Sequence, residues 1–191
     1  MPYQYKEFSN GTLEWGMDSP KPLPAFLRGN VPGCSSLISA WLRGLESADE
    51  LVARWTADLP DEGFWWSPAE GTNSIGALLV HASYAARRLA TFARGLPLPR
   101  ELDRPATERF ATGGETPAAV LEQFRAAMAE TRAAMQALQP DDLETLRERL
   151  GQRVPALHLW HKIVEHTHEH VGQVITLRKL WNAENERLPA A

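Results

Sequence analysis

The residues best suited to chemistry in this sequence are its histidines, and five of the six fall between His158 and His170. His166 and His170 are four apart, so on a helix they project from consecutive turns on one side, the separation at which two imidazoles can meet one metal ion. His168 cannot join them, because two residues of helix turn a side chain by about 200°. A helix here has an apolar face of Leu159, Trp160, Ile163, Val164, Val171, Val174, Leu177 and Trp181, with His166 and His170 at its edge. The sixth histidine, His81, stands in the same relation to a row made by Leu78, Ala85 and Phe92. If the two helices are neighbours, three nitrogens surround one divalent ion and leave positions open to water or substrate. The competing use is commoner: a histidine at the rim of an apolar face is as a rule a hydrogen-bonded core side chain. His81 taken alone reads that way, and the pair at 166 and 170 also suits a solvated histidine-rich face. His158, His161 and His168 read as solvated, with His161 pairing with Glu165 one turn on.

Other residues carry weaker signals. Gln173, three beyond His170 on the same side, could orient a ligand or bound water, or be a rim residue beside a helix-packing Gly172. Cys34 lies near a helix start, where a thiolate would be stabilised, yet one cysteine without a placed base reads as incidental. Phe64-Trp65-Trp66 could wall a substrate pocket or simply fill a core; Met128 and Met135 read as core filling. The zinc-protease string His-Glu-x-x-His is absent, because His168-Glu169 is followed by His170-Val171-Gly172.

The elements that must position these residues are helical. A first helix is expected from Ser35 to Leu59, with Leu37, Ile38, Trp41, Leu42, Leu45, Val52 and Trp55 at helical spacing and Pro60 beyond its end. A second opens after Gly71-Thr72-Asn73, capped by Thr72 or Asn73, and carries Ile75, Leu78, Leu79, Ala82, Ala85, Leu89 and Phe92 as far as Gly95. A third begins at Thr116-Pro117 and displays Leu121, Phe124, Met128 and Met135. The fourth runs from Pro155 through Trp181, preceded by a short helical turn at 142–150, and no gap holds a convincing strand. Residues 95–115 are enough chain to cross the length of a helix, so the second and third helices can be parallel in a bundle with a long crossover. Residues 1–34, broken by Pro2, Pro20, Pro22, Pro24 and Pro32, read as an irregular arm that packs through Phe8, Trp15 and Phe26. The bundle spans 35–182 and a tail follows at 183–191.

Composition narrows the function. A chain of 191 residues, 43% hydrophobic and of net charge −4, suits one domain with a sizeable core. No stretch approaches the roughly 18 apolar residues of a membrane span, and the first residues lack the apolar core of a secretion signal, so a cytoplasmic protein is expected. Its sixteen arginines and four lysines are scattered among 24 acids, which is not the footprint of a nucleic-acid binder. With one cysteine, no intrachain disulfide, cysteine zinc finger or iron–sulfur cluster can form, so a metal must use nitrogen and oxygen ligands.

Three stretches together resemble a known family: Trp66-Ser67-Pro68, the run Asn73-Ser74-Ile75-Gly76-Ala77-Leu78-Leu79-Val80-His81, and His166-Thr167-His168-Glu169-His170-Val171-Gly172-Gln173. They are similar to the DinB-like superfamily over roughly residues 35–182. The resemblance implies an all-α, up-down-down-up four-helix bundle, commonly dimeric, with a nickel-, zinc- or iron-type ion on His81, His166 and His170. It further implies thiol-dependent transferases and isomerases among the relatives, and no DNA chemistry. Three neutral imidazoles leave the charge of a divalent ion uncompensated, which favours an anion at the open positions. Three functions follow for a small-molecule substrate: a low-molecular-weight thiol activated by the metal and attacking an electrophile, metal-assisted hydrolysis, or a non-catalytic binding protein stabilised by its metal.

Overall fold

Hydroxyl side chains set where three of the four long helices begin. Ser35 accepts a hydrogen bond from the Ile38 amide and opens α1 (Ser36–Thr56). Ser74 accepts from the Ala77 amide and opens α3 (Ile75–Ala93), after the one-turn α2 (Asp61–Trp65). Thr116 accepts from the Ala119 amide and opens α4 (Pro117–Gln136), whose proline sits in the first turn, where no amide partner is lost. The cap of α3 is thus Ser74 and not Thr72 or Asn73; the Thr72 hydroxyl instead donates to Ala69 O in the preceding turn. The computed structural model of the chain describes residues 23–103 and 114–185. Phe8 and Trp15 of the expected arm lie outside them.

Between α4 and the last helix come the short α5 (Pro140–Glu144) and a hairpin of β1 (Leu146–Arg149) and β2 (Gln152–Pro155). The short helical turn expected at 142–150 is present but spans 140–144, and the expectation of no strand is corrected by the hairpin that takes up the rest of that stretch. Leu150 and Gly151 both take positive φ, 53° and 73°, the two-residue turn whose twist matches antiparallel strands. The hairpin has a job in the bundle: Arg147 Nε donates to Ala93 O at 2.9 Å, placing a cation on the carbonyl end of α3. The final helix, α6 (Ala156–Asn185), is the longest at 30 residues.

The four long helices form a ring in which α3 packs on α6 and α4, and α1 packs on α6 and α4. Gly44 of α1 meets Val164 and His168 of α6, while Ala57 just past α1 accepts from Arg178 near the end of α6, so α1 and α6 run the same way. Trp181 reaches back to Gly63 and Trp66, which precede α3, so α3 runs against α6. Arg87 pairs with Glu130, and the chain leaving α4 arrives at the carbonyl end of α3, so α3 and α4 are parallel. The order is up-down-down-up, as the long crossover permits. The core is drawn from every helix, with Leu45, Phe64, Ile75, Leu79, Phe124, Met128 and Trp160 almost fully enclosed. Small residues Ala82, Ser83, Ala86 and Ala90 on α3 let it approach two neighbours at once.

Of the arm, residues 25–27 make one 3-10 turn that buries Ala25, and Arg28 pairs with Glu46 and Glu50 of α1. Phe26, expected to pack, is 76% exposed. No helix among the described residues is long and apolar enough to cross a membrane.

One charge in this frame is held at a cost. Asp49 of α1 is half-buried facing α4, and burial, more than the opposing pull of Arg125 and Arg132, lifts its carboxyl above the ordinary value. A raised carboxyl makes the folded chain bind the proton more tightly than the unfolded chain, so its stabilising contribution is present below the unfolded value, near 4, and is lost as pH rises through the folded value. Asp49→Asn is therefore expected to raise the melting temperature at pH 7 by about 1–3 °C, with the gain vanishing below about pH 3.5, where the aspartate is neutral in both states. Thermal melts at the two pH values check this; a loss at pH 7 contradicts it.

Candidate metal centre

His166 and His170 occupy consecutive turns of α6, and His81 faces them from the antiparallel α3. His166 Nε2 lies 3.1 Å from His81 Nε2 and 3.1 Å from His170 Nε2. All three ligand nitrogens lie within 4.8 Å of one another. The rings stand steeply to each other, with interplanar angles of 71°, 85° and 78° and centroids 5.2, 4.9 and 4.4 Å apart. His170 is buried, while His81 and His166 are half-buried, which leaves the cluster open on one side.

What lies behind the rings decides which nitrogen is free. The His166 Nδ1–H donates to Glu169 Oε2 at 3.0 Å, and the His170 Nδ1–H donates to Gln173 Oε1 at 2.8 Å. The bond from His166, and then that from Lys162, holds the Glu169 carboxyl below the ordinary carboxylate range, so it is an ionised acceptor at neutral pH. Burial is the main cause that pushes the His170 imidazole below its ordinary value, so it is neutral there. A neutral ring that gives away its Nδ1–H carries a lone pair on Nε2. With His166 set by Glu169 in the same tautomer, the Nε2 lone pairs of the two rings would face each other across 3.1 Å, an arrangement that a cation between them relieves. The spacing suits a transition ion: metal–nitrogen bonds of about 2.1 Å at angles of about 90–110° put the nitrogens about 3.0–3.4 Å apart. On donor type, convergence and spacing, the three histidines fit one divalent ion.

Other residues singled out from the sequence fall elsewhere. Gln173 faces His170 and holds that ring. Gly172 packs nothing: a Cβ there would meet no atom within 4 Å, so its expected helix-packing role is corrected. His161 is exposed and leans towards Trp41 with ring centroids 6.4 Å apart, while Glu165 pairs with Lys162 at 3.2 Å. His168, expected to be solvated, is half-buried against Gly44, and its Nδ1–H donates to Val164 O at 3.0 Å. His158 is exposed. Cys34 is half-buried against the core just before the cap Ser35. Phe64 is enclosed, Trp65 covers Gly76, and Trp66 meets Trp181 edge-on, so the aromatic run is packing. Sequence reasoning missed Glu169 and Lys162. The signal was there, since His166-x-x-Glu169 repeats the spacing of His170-x-x-Gln173 one turn earlier. A cleft of about 490 Å³ between α3 and α4, bordered by Tyr84, Arg87, Arg94 and Glu130, includes none of the three histidines.

The sequence model of the DinB superfamily matches residues 45–174, which include His81, His166, His170, Glu169 and Gln173. Among solved structures, a DinB-like protein from Bacillus subtilis is similar with a TM-score of 0.56 at 16% identity, over 78% of this chain and 93% of that one. A likeness at that identity speaks to the fold. No curated protein matches the chain.

Proposed function

Because this chain belongs to the DinB superfamily, we propose that it is a metal-dependent enzyme in which His81, His166 and His170 hold one divalent transition ion and a low-molecular-weight thiol is co-substrate. The observation that carries this reading is the convergence of three imidazole nitrogens, two of them on rings whose Nδ1 is held from behind by Glu169 and Gln173. Imidazole donors suit nickel and zinc, with iron a further candidate. Such an ion supplies positive charge that neutral imidazoles do not cancel, which favours an anionic ligand and eases the ionisation of a thiol. The histidines themselves carry no proton for the reaction. Burial holds the His170 imidazole below its ordinary value, and His166 Nδ1 is engaged with Glu169. In the S-transfer proposed, the thiol proton goes to solvent and a sulfur–carbon bond forms as the carbon's bond to its leaving group breaks, the group departing with the electron pair. Glu169 is taken up by His166 and Lys162, which argues against its serving as a base towards water. A small molecule is the substrate, and the protein acts in the cytoplasm as a homodimer, for which the exposed Phe26 and Leu37 offer apolar surface.

The test uses cobalt(II)-loaded protein purified without a histidine tag. Small thiols are expected to produce a sulfur-to-cobalt absorption band, and consumption of monobromobimane or chlorodinitrobenzene should require both ion and thiol. Turnover of a substrate that needs only water would replace this reading with hydrolysis. Ion uptake with no turnover of any kind would leave a metal-binding protein.

A further inference from the structure

The outer partners of the two α6 histidines are at the same spacing but differ in charge. Gln173 behind His170 is a neutral amide; Glu169 behind His166 is a carboxylate whose second oxygen receives Lys162 Nζ at 3.2 Å. Lys162 is itself shared with Glu165 at 3.2 Å. An anionic acceptor draws the Nδ1 proton outward and increases electron density at Nε2, so it makes the imidazole a stronger donor than a neutral acceptor does. A cation on the other carboxylate oxygen draws that density back. His166 is also the ring that stands 3.1 Å from both of the others, so its donor strength bears most on the cluster. The trio contributes little to holding the fold: the Lys162 and Glu169 side chains are 44% and 48% exposed, and solvent screens pairs so exposed.

From this geometry we propose that Glu169 is a positioning residue that strengthens the hold of His166 on the ion, and that Lys162 is its counterweight, weakening that hold by competing for the carboxylate. The inference rests on the three-histidine metal reading above. It predicts effects of opposite sign from neighbouring residues.

The experiment measures the zinc dissociation constant by competition with a chromophoric chelator for wild type, Glu169→Gln, Lys162→Met, the double variant, Gln173→Ala and His166→Ala. Long-range nitrogen–proton spectra of the metal-free histidines report the His166 tautomer and the integrity of the fold. Glu169→Gln is expected to weaken zinc binding about 10- to 100-fold, and Gln173→Ala less. Lys162→Met should tighten it about 2- to 5-fold, and most of that gain should disappear in the Glu169→Gln background, the non-additivity of groups acting through one another. In metal-free wild type His166 should carry its proton on Nδ1, a preference that weakens in Glu169→Gln. If wild type binds zinc and His166→Ala does not, while Glu169→Gln and Lys162→Met match wild type or shift the same way, this proposal fails and the metal reading stands. If wild type takes up no zinc, nickel or iron, both fail.

Discussion

Alanine at both His166 and His170 is expected to abolish metal uptake, from one equivalent per chain to none, together with the thermal stabilisation that the ion gives. Wild type at an ion concentration 100 times its dissociation constant gains about 2.7 kcal/mol, because the ion binds the folded chain and not the unfolded one. For a domain of this size that corresponds to a rise of about 5–10 °C in melting temperature. The double variant should show no rise. His81→Ala is the more telling single change, since it leaves the two nitrogens of α6 but removes the one from α3. Weak binding should persist with a rise of less than half the wild-type value, because the ion no longer joins two helices. In the metal-free state the double variant also loses the close approach of the two ring nitrogens at 3.1 Å, which offsets part of the packing lost with the rings, so without metal it should melt close to wild type. Elemental analysis and paired melts with and without zinc check this; equal metal content in wild type and double variant would remove the site from these residues.

Two glycine-to-alanine changes should move stability in opposite directions. Gly76, in the first turn of α3, lies under the Trp65 ring, and a Cβ there would come within 2.3 Å of that ring's Cζ3. Trp65 stands edge-on to Phe64 at 5.3 Å between centroids, and Phe64 is 1% exposed, so the ring has little room to retreat. Gly76→Ala should therefore cost about 1–3 kcal/mol through overpacking, a fall of roughly 3–10 °C. Since His81 sits five residues along the same helix, a shifted α3 should weaken zinc binding as well. At Gly172 an added Cβ meets nothing, and alanine in a helix interior is about 0.5–1 kcal/mol better than glycine. Gly172→Ala should raise the melting temperature by roughly 1–4 °C and leave zinc affinity unchanged. Melts of the two variants in parallel decide the matter, and a shift in the same direction for both would mean that the packing around Trp65 is not as described.

These glycines mark a boundary in what can be read from a chain. Nothing local separates Gly76 from Gly172. One was read as packing and proved open, and the other is covered by an aromatic ring from a different helix. His168 is a similar case: its position on the α6 wheel suggested solvent, but its ring lies beside Gly44 on α1, 3.6 Å from where a Cβ there would stand. The hairpin escaped notice because its strands are four residues each and mostly polar, with Leu150 where asparagine or aspartate would advertise the turn. Its purpose, setting Arg147 on the carbonyl end of α3, is a contact between residues 54 apart in sequence.

What the sequence determined by itself is whatever depends on a few consecutive turns: helix starts at Ser35 and Thr116, the apolar stripes and the meeting of His166 with His170; the backing by Glu169 and Gln173 is written at the same local spacing but went unread. These follow from the pitch of the α-helix and the reach of side chains three or four residues apart. The length of the crossover also permitted parallel second and third helices. That α3 is the helix lying against the histidine edge of α6, so that His81 completes the set, was decided by tertiary packing. Which faces meet depends on how small residues such as Ala82, Ala86 and Gly44 let whole helices approach, a property of surfaces assembled from distant parts of the chain.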